Sequence, residues 1–177
     1  TEPTVLIGSS MVNTSVSIHG GSNGSVSASA NGGTPAYTYG WNTGANSAVV
    51  TGLTAGSYTV TITDANGCST TASSTVTEPT VLTSSTTVIS NVDCNGNANG
   101  SANASANGAV SPYTYYWSTG STSTSITGLI AGSYDVTITD ANGATATNSV
   151  SITEPTVLIG SSMVNTSVSI HGGSNGS

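Results

Sequence analysis

The chain contains no lysine, no arginine and no phenylalanine. Charged residues make up 4% of it, against about 25% in ordinary globular proteins. Phosphate neutralisation needs lysine or arginine, so nucleic-acid binding is not expected of this chain. Contact with anionic lipid headgroups is disfavoured for the same reason. Trypsin-like proteases find no cleavage site, which suits a life outside the cell. The seven acids, Glu2, Asp64, Glu78, Asp93, Asp135, Asp140 and Glu154, are scattered, so the net charge of −7 is a diffuse repulsion and not a binding patch. No apolar run approaches the roughly 18 residues of a membrane span, so no membrane insertion is expected in this region. Residues 1–20 lack the basic start of a signal peptide, which places any targeting signal outside this stretch.

What is present is a repeat. Thr1-Glu2-Pro3-Thr4-Val5-Leu6 returns at Thr77 and again at Thr153, both spacings being 76 residues with no insertion or deletion. The first two copies, A and B, agree at just over half of their positions, while residues 153–177 repeat residues 1–25 without a change. The larger unit is therefore an A-B pair of 152 residues, and the third copy begins as A again. Low charge with abundant Ser, Thr, Asn and Gly resembles a disordered composition, but the apolar positions are strictly periodic, as folded modules require. The expected division is 1–3, the end of a preceding module; 4–79, module A; 80–155, module B; and 156–177, the first strand and turn of a third module.

Within a module the period is two, that of half-buried strands. Val5 to Ile18 reads as a first strand, with an interruption expected at Gly8-Ser9-Ser10. Val26, Ala28 and Ala30 alternate with serines in a second, whose small inward side chains let two sheets approach closely. Tyr37, Tyr39 and Trp41 form a third that supplies core bulk, and Val49 to Leu53 a short fourth. Tyr58, Val60 and Ile62 alternate with threonines in the next strand, and Asp64-Ala65-Asn66-Gly67 supplies a tight turn into the last, Cys68 to Thr77. Leu53 to Tyr58 has the spacing of a tyrosine corner, in which a tyrosine hydroxyl ties back to the preceding crossover. Trp41 on the third strand, with Trp117 in B, and a corner tyrosine two strands later match the order of immunoglobulin-like sandwiches. The fold expected is all-β, with tandem Greek-key sandwiches of 76 residues end to end. Its structural residues are Leu53, Leu129, Tyr58, Tyr134, Trp41 and Trp117.

Candidate chemistry is sparse. A nucleophile needs a base and an orienting group, but His19 and His171 are the same turn position in two A copies and Asn95 replaces them in B. No His/Cys cluster has zinc spacing, and Asp64 to Gly67 lacks the downstream glutamate of a calcium loop. No catalytic residue, metal or cofactor is expected. Tyr116 replaces Gly40 out of phase with Tyr113, Tyr115 and Trp117, so it should point away from their face, either covering the sheet or stacking on a sugar or a neighbouring filament.

Each module holds one cysteine, Cys68 in A and Cys94 in B, with Ala144 and Ile18 at the other copy's equivalent positions. A bridge inside a module is thereby excluded. In an immunoglobulin-like sandwich the first strand ends at the bottom and the last begins at the top, so Cys94 would face the start of the last strand in the following A copy. The A-to-B junction would then bring Ile18 to Ala144. A Cys68–Cys94 bridge and free thiols remain open as alternatives, and either bridge implies an oxidising compartment.

Gly32 to Gly44 (G-G-T-P-A-Y-T-Y-G-W-N-T-G), Gly52 to Cys68 and T-E-P-T, with Val92 to Gly96 (V-D-C-N-G) in B, together resemble the SprB-type repeats of giant cell-surface adhesins in gliding Bacteroidetes. The resemblance covers essentially the whole chain and departs from the pattern at Ile18 and Ala144, where such repeats usually carry cysteine. It implies a long secreted protein, exported by the type IX system and carried along the cell surface as an adhesive filament. Neighbouring modules of the same chain are the expected partners, with a surface polysaccharide or substratum as an external one. Carbohydrate-binding modules and a passive sheath or surface-layer subunit are the rival readings. One consequence needs no fold: trypsin leaves the urea-unfolded chain at full mass, whereas chymotrypsin cuts at Tyr and Trp, both read by mass spectrometry.

Overall fold

The structure, a computed structural model, describes residues 4–163. Residues 1–3 and 164–177, which include His171 and the turn of the third copy, lie outside the described residues. Twelve strands follow one another without a helix among the described residues. The first six are β1 Ile7–Thr14, β2 Gly24–Asn31, β3 Thr38–Trp41, β4 Val49–Leu53, β5 Gly56–Thr63 and β6 Ser69–Val76. The second six are β7 Thr83–Ser90, β8 Gly100–Asn107, β9 Thr114–Trp117, β10 Ser125–Leu129, β11 Gly132–Thr139 and β12 Thr145–Ile152. In the first set β1-β2-β4 form one antiparallel sheet and β3-β5-β6 the other; β7-β8-β10 and β9-β11-β12 repeat this. The chain changes sheet at β2→β3, β3→β4 and β4→β5, which is the Greek-key route of an immunoglobulin-like sandwich. Both halves are such sandwiches.

The period-two pattern explains what lies between the sheets. On β5, Tyr58, Val60 and Ile62 are buried while Ser57, Thr59 and Thr61 face water. Val26 and Ala28 of β2 oppose them, and Trp41, Leu53, Val16 and Val76 complete one core; Trp117, Ile126, Leu129, Val136, Ile138, Val150 and Ile152 dominate the other. The outer faces carry hydroxyls that pair across strands, as at Ser9–Ser29 (2.7 Å) and Ser85–Ser105 (2.8 Å).

A break in the alternation is as informative as the alternation itself. Continued regularly from the half-buried Val50, the pattern of β4 would aim Gly52 inward and Leu53 at solvent. Instead Ser25 pairs with Thr51 and Gly24 with Leu53, so Gly52 is an extra residue, at φ +73°. This bulge turns Leu53 into the core, and Gly128 at φ +71° does the same for Leu129. Gly24 is needed for space: a Cβ there would lie 2.7 Å from Val76 Cγ1 and 2.8 Å from the Leu53 carbonyl oxygen, and Gly100 is equally confined.

Two expectations are corrected. The first strand is not interrupted at Gly8-Ser9-Ser10; β1 runs through it, because a bare Cα at Gly8 admits the tip of Ile62 and the Thr70 methyl, each 2.9 Å from where a Cβ would stand. The first strand expected in the third copy is not formed in its described part, 156–163.

Gly24→Ala therefore lowers the stability of the first sandwich by about 1–3 kcal/mol through overpacking. Gly40→Ala, where no atom stands closer than 4.0 Å to the new Cβ, leaves it unchanged or slightly raised; urea unfolding of the two variants measures the contrast.

Candidate functional site

The side chains that fix this fold meet at the two ends of each sandwich. At the β4–β5 crossover, the Tyr58 hydroxyl donates to the Thr54 carbonyl at 2.9 Å and Tyr134 to that of Ile130 at 3.0 Å. Leu53 and Leu129, brought inward by the bulges, are buried. Trp41 and Trp117 are buried, and their indole N–H groups reach the Ser47 and Ser123 carbonyls, both at 2.9 Å. These bonds tie the loop after β3, and its counterpart after β9, to the core.

The upper end, where β5 turns into β6, is organised by a buried acid. Asp64 is 6% exposed. Its Oδ1 accepts the N–H groups of Asn66 and Cys68 and its Oδ2 that of Thr34, all at 2.9 Å. One carboxylate thus closes its own turn and pins the loop between β2 and β3. The Thr34 N–H, and with it those of Cys68, Asn66 and Gly67, hold the Asp64 carboxyl below its ordinary range against the opposing effect of burial. At Asp140 burial pushes upward most, but the N–H groups of Ala144, Val110, Asn142 and Gly143 together outweigh it, and that carboxyl is lowered too. Beside this end, Tyr37 and Tyr113 donate to the Gly32 and Gly108 carbonyls, both at 2.6 Å.

The lower end uses the T-E-P segment. Glu78 accepts the Gly20 N–H at 2.6 Å, and Glu154 that of Gly96 at 2.8 Å. His19 is exposed yet not free, with its Nδ1 3.2 Å from both Glu78 Oε1 and the Pro79 carbonyl. Asn95 makes the equivalent bond to Pro155 at 3.1 Å. Val16 and Val92 donate their N–H groups to Thr77 and Thr153, so the end of each first strand is joined to the end of the last.

Lower and upper ends meet in the middle of the chain. Asn142 Nδ2, in the upper turn of the second sandwich, donates to the Ser17 carbonyl of the first at 2.7 Å. Around it Ser17, Ile18, Glu78, Pro79 and Ala144 are half-buried. At the two outer ends the equivalent Asp93, Cys94, Glu154, Pro155 and Cys68 are exposed. Both cysteines are free thiols. They are not brought together: Cys68 borders a hollow at the top of the first sandwich and Cys94 one at the bottom of the second. Tyr116 lies on the outer face of β9, opposite Thr137 of β11, and is 63% exposed. Among the described residues no group of three or more His, Cys, Asp or Glu stands close enough to hold a metal ion, and no helix is long and apolar enough to cross a membrane.

The carboxylate roles of Asp64 and Glu78, and the hydroxyl bond of Tyr37, carry no mark in hydrophobic periodicity. The recurrence of D-A-N-G and of T-E-P, and of a tyrosine five residues after Gly32 and Gly108, was the available signal.

The SprB repeat family model matches residues 19–46 and 86–122, one segment in each sandwich, with ends at 46 and 122 that are one period apart. Both matched segments are thus similar to the SprB repeat. No curated protein matches it. Among solved structures, the three N-terminal domains of the bacteriophage RB49 highly immunogenic outer capsid protein (Hoc) align at 20% identity and a TM-score of 0.52, over 84% of this chain and 59% of that one. The chain thus spans about three-fifths of that fragment, and the likeness shows the fold alone. A C-terminal fragment of intimin, in complex with the intimin-binding domain of its translocated receptor, aligns at 15% identity and a TM-score of 0.40, over 87% of this chain and 64% of that one.

Because the lowered carboxyls of Asp64 and Asp140 favour the ionised form in the folded state, their contribution is present above the ordinary aspartate pKa of about 3.9 and is lost as pH falls through the folded values. The melting temperature accordingly holds from neutral pH to about pH 5 and drops below about pH 4. Asp64→Asn with Asp140→Asn melts lower at pH 7 and shows a flatter acid limb in circular dichroism.

Proposed function

We propose that this is a structural and adhesive repeat region of a long secreted cell-surface filament, acting as a protease-resistant rod in a gliding-motility adhesin. The observation that carries the reading is the end-to-end junction, in which the Asn142 amide of one sandwich seats on the Ser17 carbonyl of the other. A junction of this kind uses opposite ends of one module type, so it is heterologous and propagates with each period instead of closing. The SprB match supports the adhesin assignment. A surface of hydroxyls and amides with few and dispersed acids suits a shaft that must not stick to itself along its length. The absence of lysine and arginine removes a major class of cleavage sites. Module boundaries at 4–79 and 80–155 fit the same reading, since each segment contains one set of six strands. With strands rising about 3.3 Å per residue, each module advances the rod by roughly 35–45 Å.

One observation favours a second reading. Tyr116 stands exposed on a hydroxyl-rich face where the first sandwich has Gly40 and a shallow hollow bordered by Thr38, Thr61 and Thr63. A lone aromatic of this kind can stack on a sugar ring, which would make alternate modules carbohydrate contacts.

Two measurements separate these readings. Small-angle scattering of the 177-residue chain should give a rod whose folded part is roughly 70–90 Å long; a compact particle with the sandwiches side by side overturns the rod. On a glycan array, binding that is lost on Tyr116→Ala assigns the ligand contact to these modules, and absence of binding leaves them as shaft.

A further inference from the structure

We infer that successive A-B pairs are clamped by a disulfide between Cys94 at the lower end of one pair and the counterpart of Cys68 at the upper end of the next. The junction inside each pair, where Ile18 and Ala144 stand, is left uncrosslinked. The occupant of the free lower end is thus a second copy of this same repeat pair.

The internal junction is the template. Asn142 is two residues before Ala144 and Ser17 immediately precedes Ile18, so the 2.7 Å bond between Asn142 and Ser17 brings those two neighbourhoods into contact. One period away the same positions are Asn66, Cys68, Asp93 and Cys94. Ile18 and Ala144 are half-buried, whereas Cys94 and Cys68 are exposed among the described residues. The other junction residues differ in the same sense: Glu78 and Pro79 are half-buried, Glu154 and Pro155 exposed. These outer ends are the two uncovered halves of one interface. Each has its cysteine at a hollow, Cys68 beside Val5 and Leu6, Cys94 beside Val157 and Leu158.

The module after B is an A copy, because residues 153–177 repeat residues 1–25. A second pair docked on B as B docks on A would place its Cys68 against Cys94. The internal junction has lost both cysteines together and kept an apolar pair, so no thiol is stranded there. A bridge between Cys68 and Cys94 of one pair is ruled out by distance. Cys68 stands at the upper end of the first sandwich and Cys94 at the lower end of the second, while the ends that meet through Asn142 and Ser17 are the other two, so the eight-residue strands β6 and β7, each about 25 Å long, lie between them.

Formation of the bond requires an oxidant. Each sulfur gives up its proton and one electron as the S–S bond forms, and the two electrons and two protons reduce an external disulfide, that of glutathione or an oxidoreductase, to two thiols. The clamp therefore closes after export into an oxidising compartment.

The inference rests on the rod reading but fails separately from it. In the chain with Cys68→Ala and Cys94→Ala, adding Ile18→Cys and Ala144→Cys tests the template: under oxidised glutathione the monomer gains an internal bridge, and neither single addition does. A tandem duplicate of the A-B pair then tests the clamp itself. Of its four thiols, the inner two resist alkylation until reduction and appear as one cross-linked peptide by mass spectrometry, while the outer two react at once. Four reactive thiols under the same oxidant overturn the clamp while leaving the rod intact. A compact scattering profile overturns both. Bridges between like cysteines of separate chains, formed as fast as the inner bridge, would mark unspecific surface oxidation and also overturn it.

Discussion

A chain without lysine or arginine takes a carboxylate out of water by surrounding it with uncharged hydrogen-bond donors, above all backbone N–H groups. Asp64 and Asp140 do this, each accepting three short backbone bonds. Much of the architecture depends on that constraint. The acid that closes the β5–β6 turn also holds the loop between β2 and β3, so the upper end of each sandwich is one connected surface. Glu78 and Glu154 work the same way below. Among the described residues no buried side-chain nitrogen or oxygen is left without a partner. Both ends are therefore rigid platforms, and modules can stack without salt bridges.

The two copies differ in ways that preserve this frame by compensation. Gly8 packs against Ile62 and Thr70, while its counterpart Ser84 donates to the Thr147 carbonyl at 2.9 Å in a copy where Ala146 replaces Thr70. A side chain gained on the first strand is matched by atoms lost on the last. Ala109 adopts φ +48° where the other copy has Gly33, a residue at φ +61° that no Cβ could leave undisturbed, since one would stand 2.7 Å from Asp64 Oδ2. His19 and Asn95 reach the same carbonyl position by different side chains. Ile18 with Ala144, against Cys94 with Cys68, is one more paired change, located at the junction instead of the core.

The functional reading follows from where variation is tolerated. The core and the two platforms are shared by both copies, whereas the outer faces carry interchangeable hydroxyls, and the one large aromatic exposed there, Tyr116, occurs in one copy alone. An array built so can lengthen by whole periods, because each module presents a socket below and a plug above. Alternation of A and B gives such an array two kinds of junction, one held by packing and hydrogen bonds and the other open to covalent closure.

Much of this was legible in the residues. The 76-residue period, the all-β class, the strand order and the alternation that buries Tyr58, Val60 and Ile62 all follow from local pattern, because strand periodicity and turn chemistry are properties of neighbours along the chain. Periodicity did not reveal that β1 runs unbroken through Gly8, because that glycine answers to Ile62 and Thr70, more than fifty residues away. Nor did it reveal that Asp64 is buried, since a turn aspartate reads as solvated until the loop carrying Thr34 is folded over it. The sequence by itself determined the repeating unit, its core and the joint replacement of both cysteines. The order of an immunoglobulin-like sandwich also led to Ile18 facing Ala144; tertiary structure alone decided by which contact those ends are held, because the Asn142–Ser17 bond joins residues that no local rule relates and exists only once two finished platforms are pressed together.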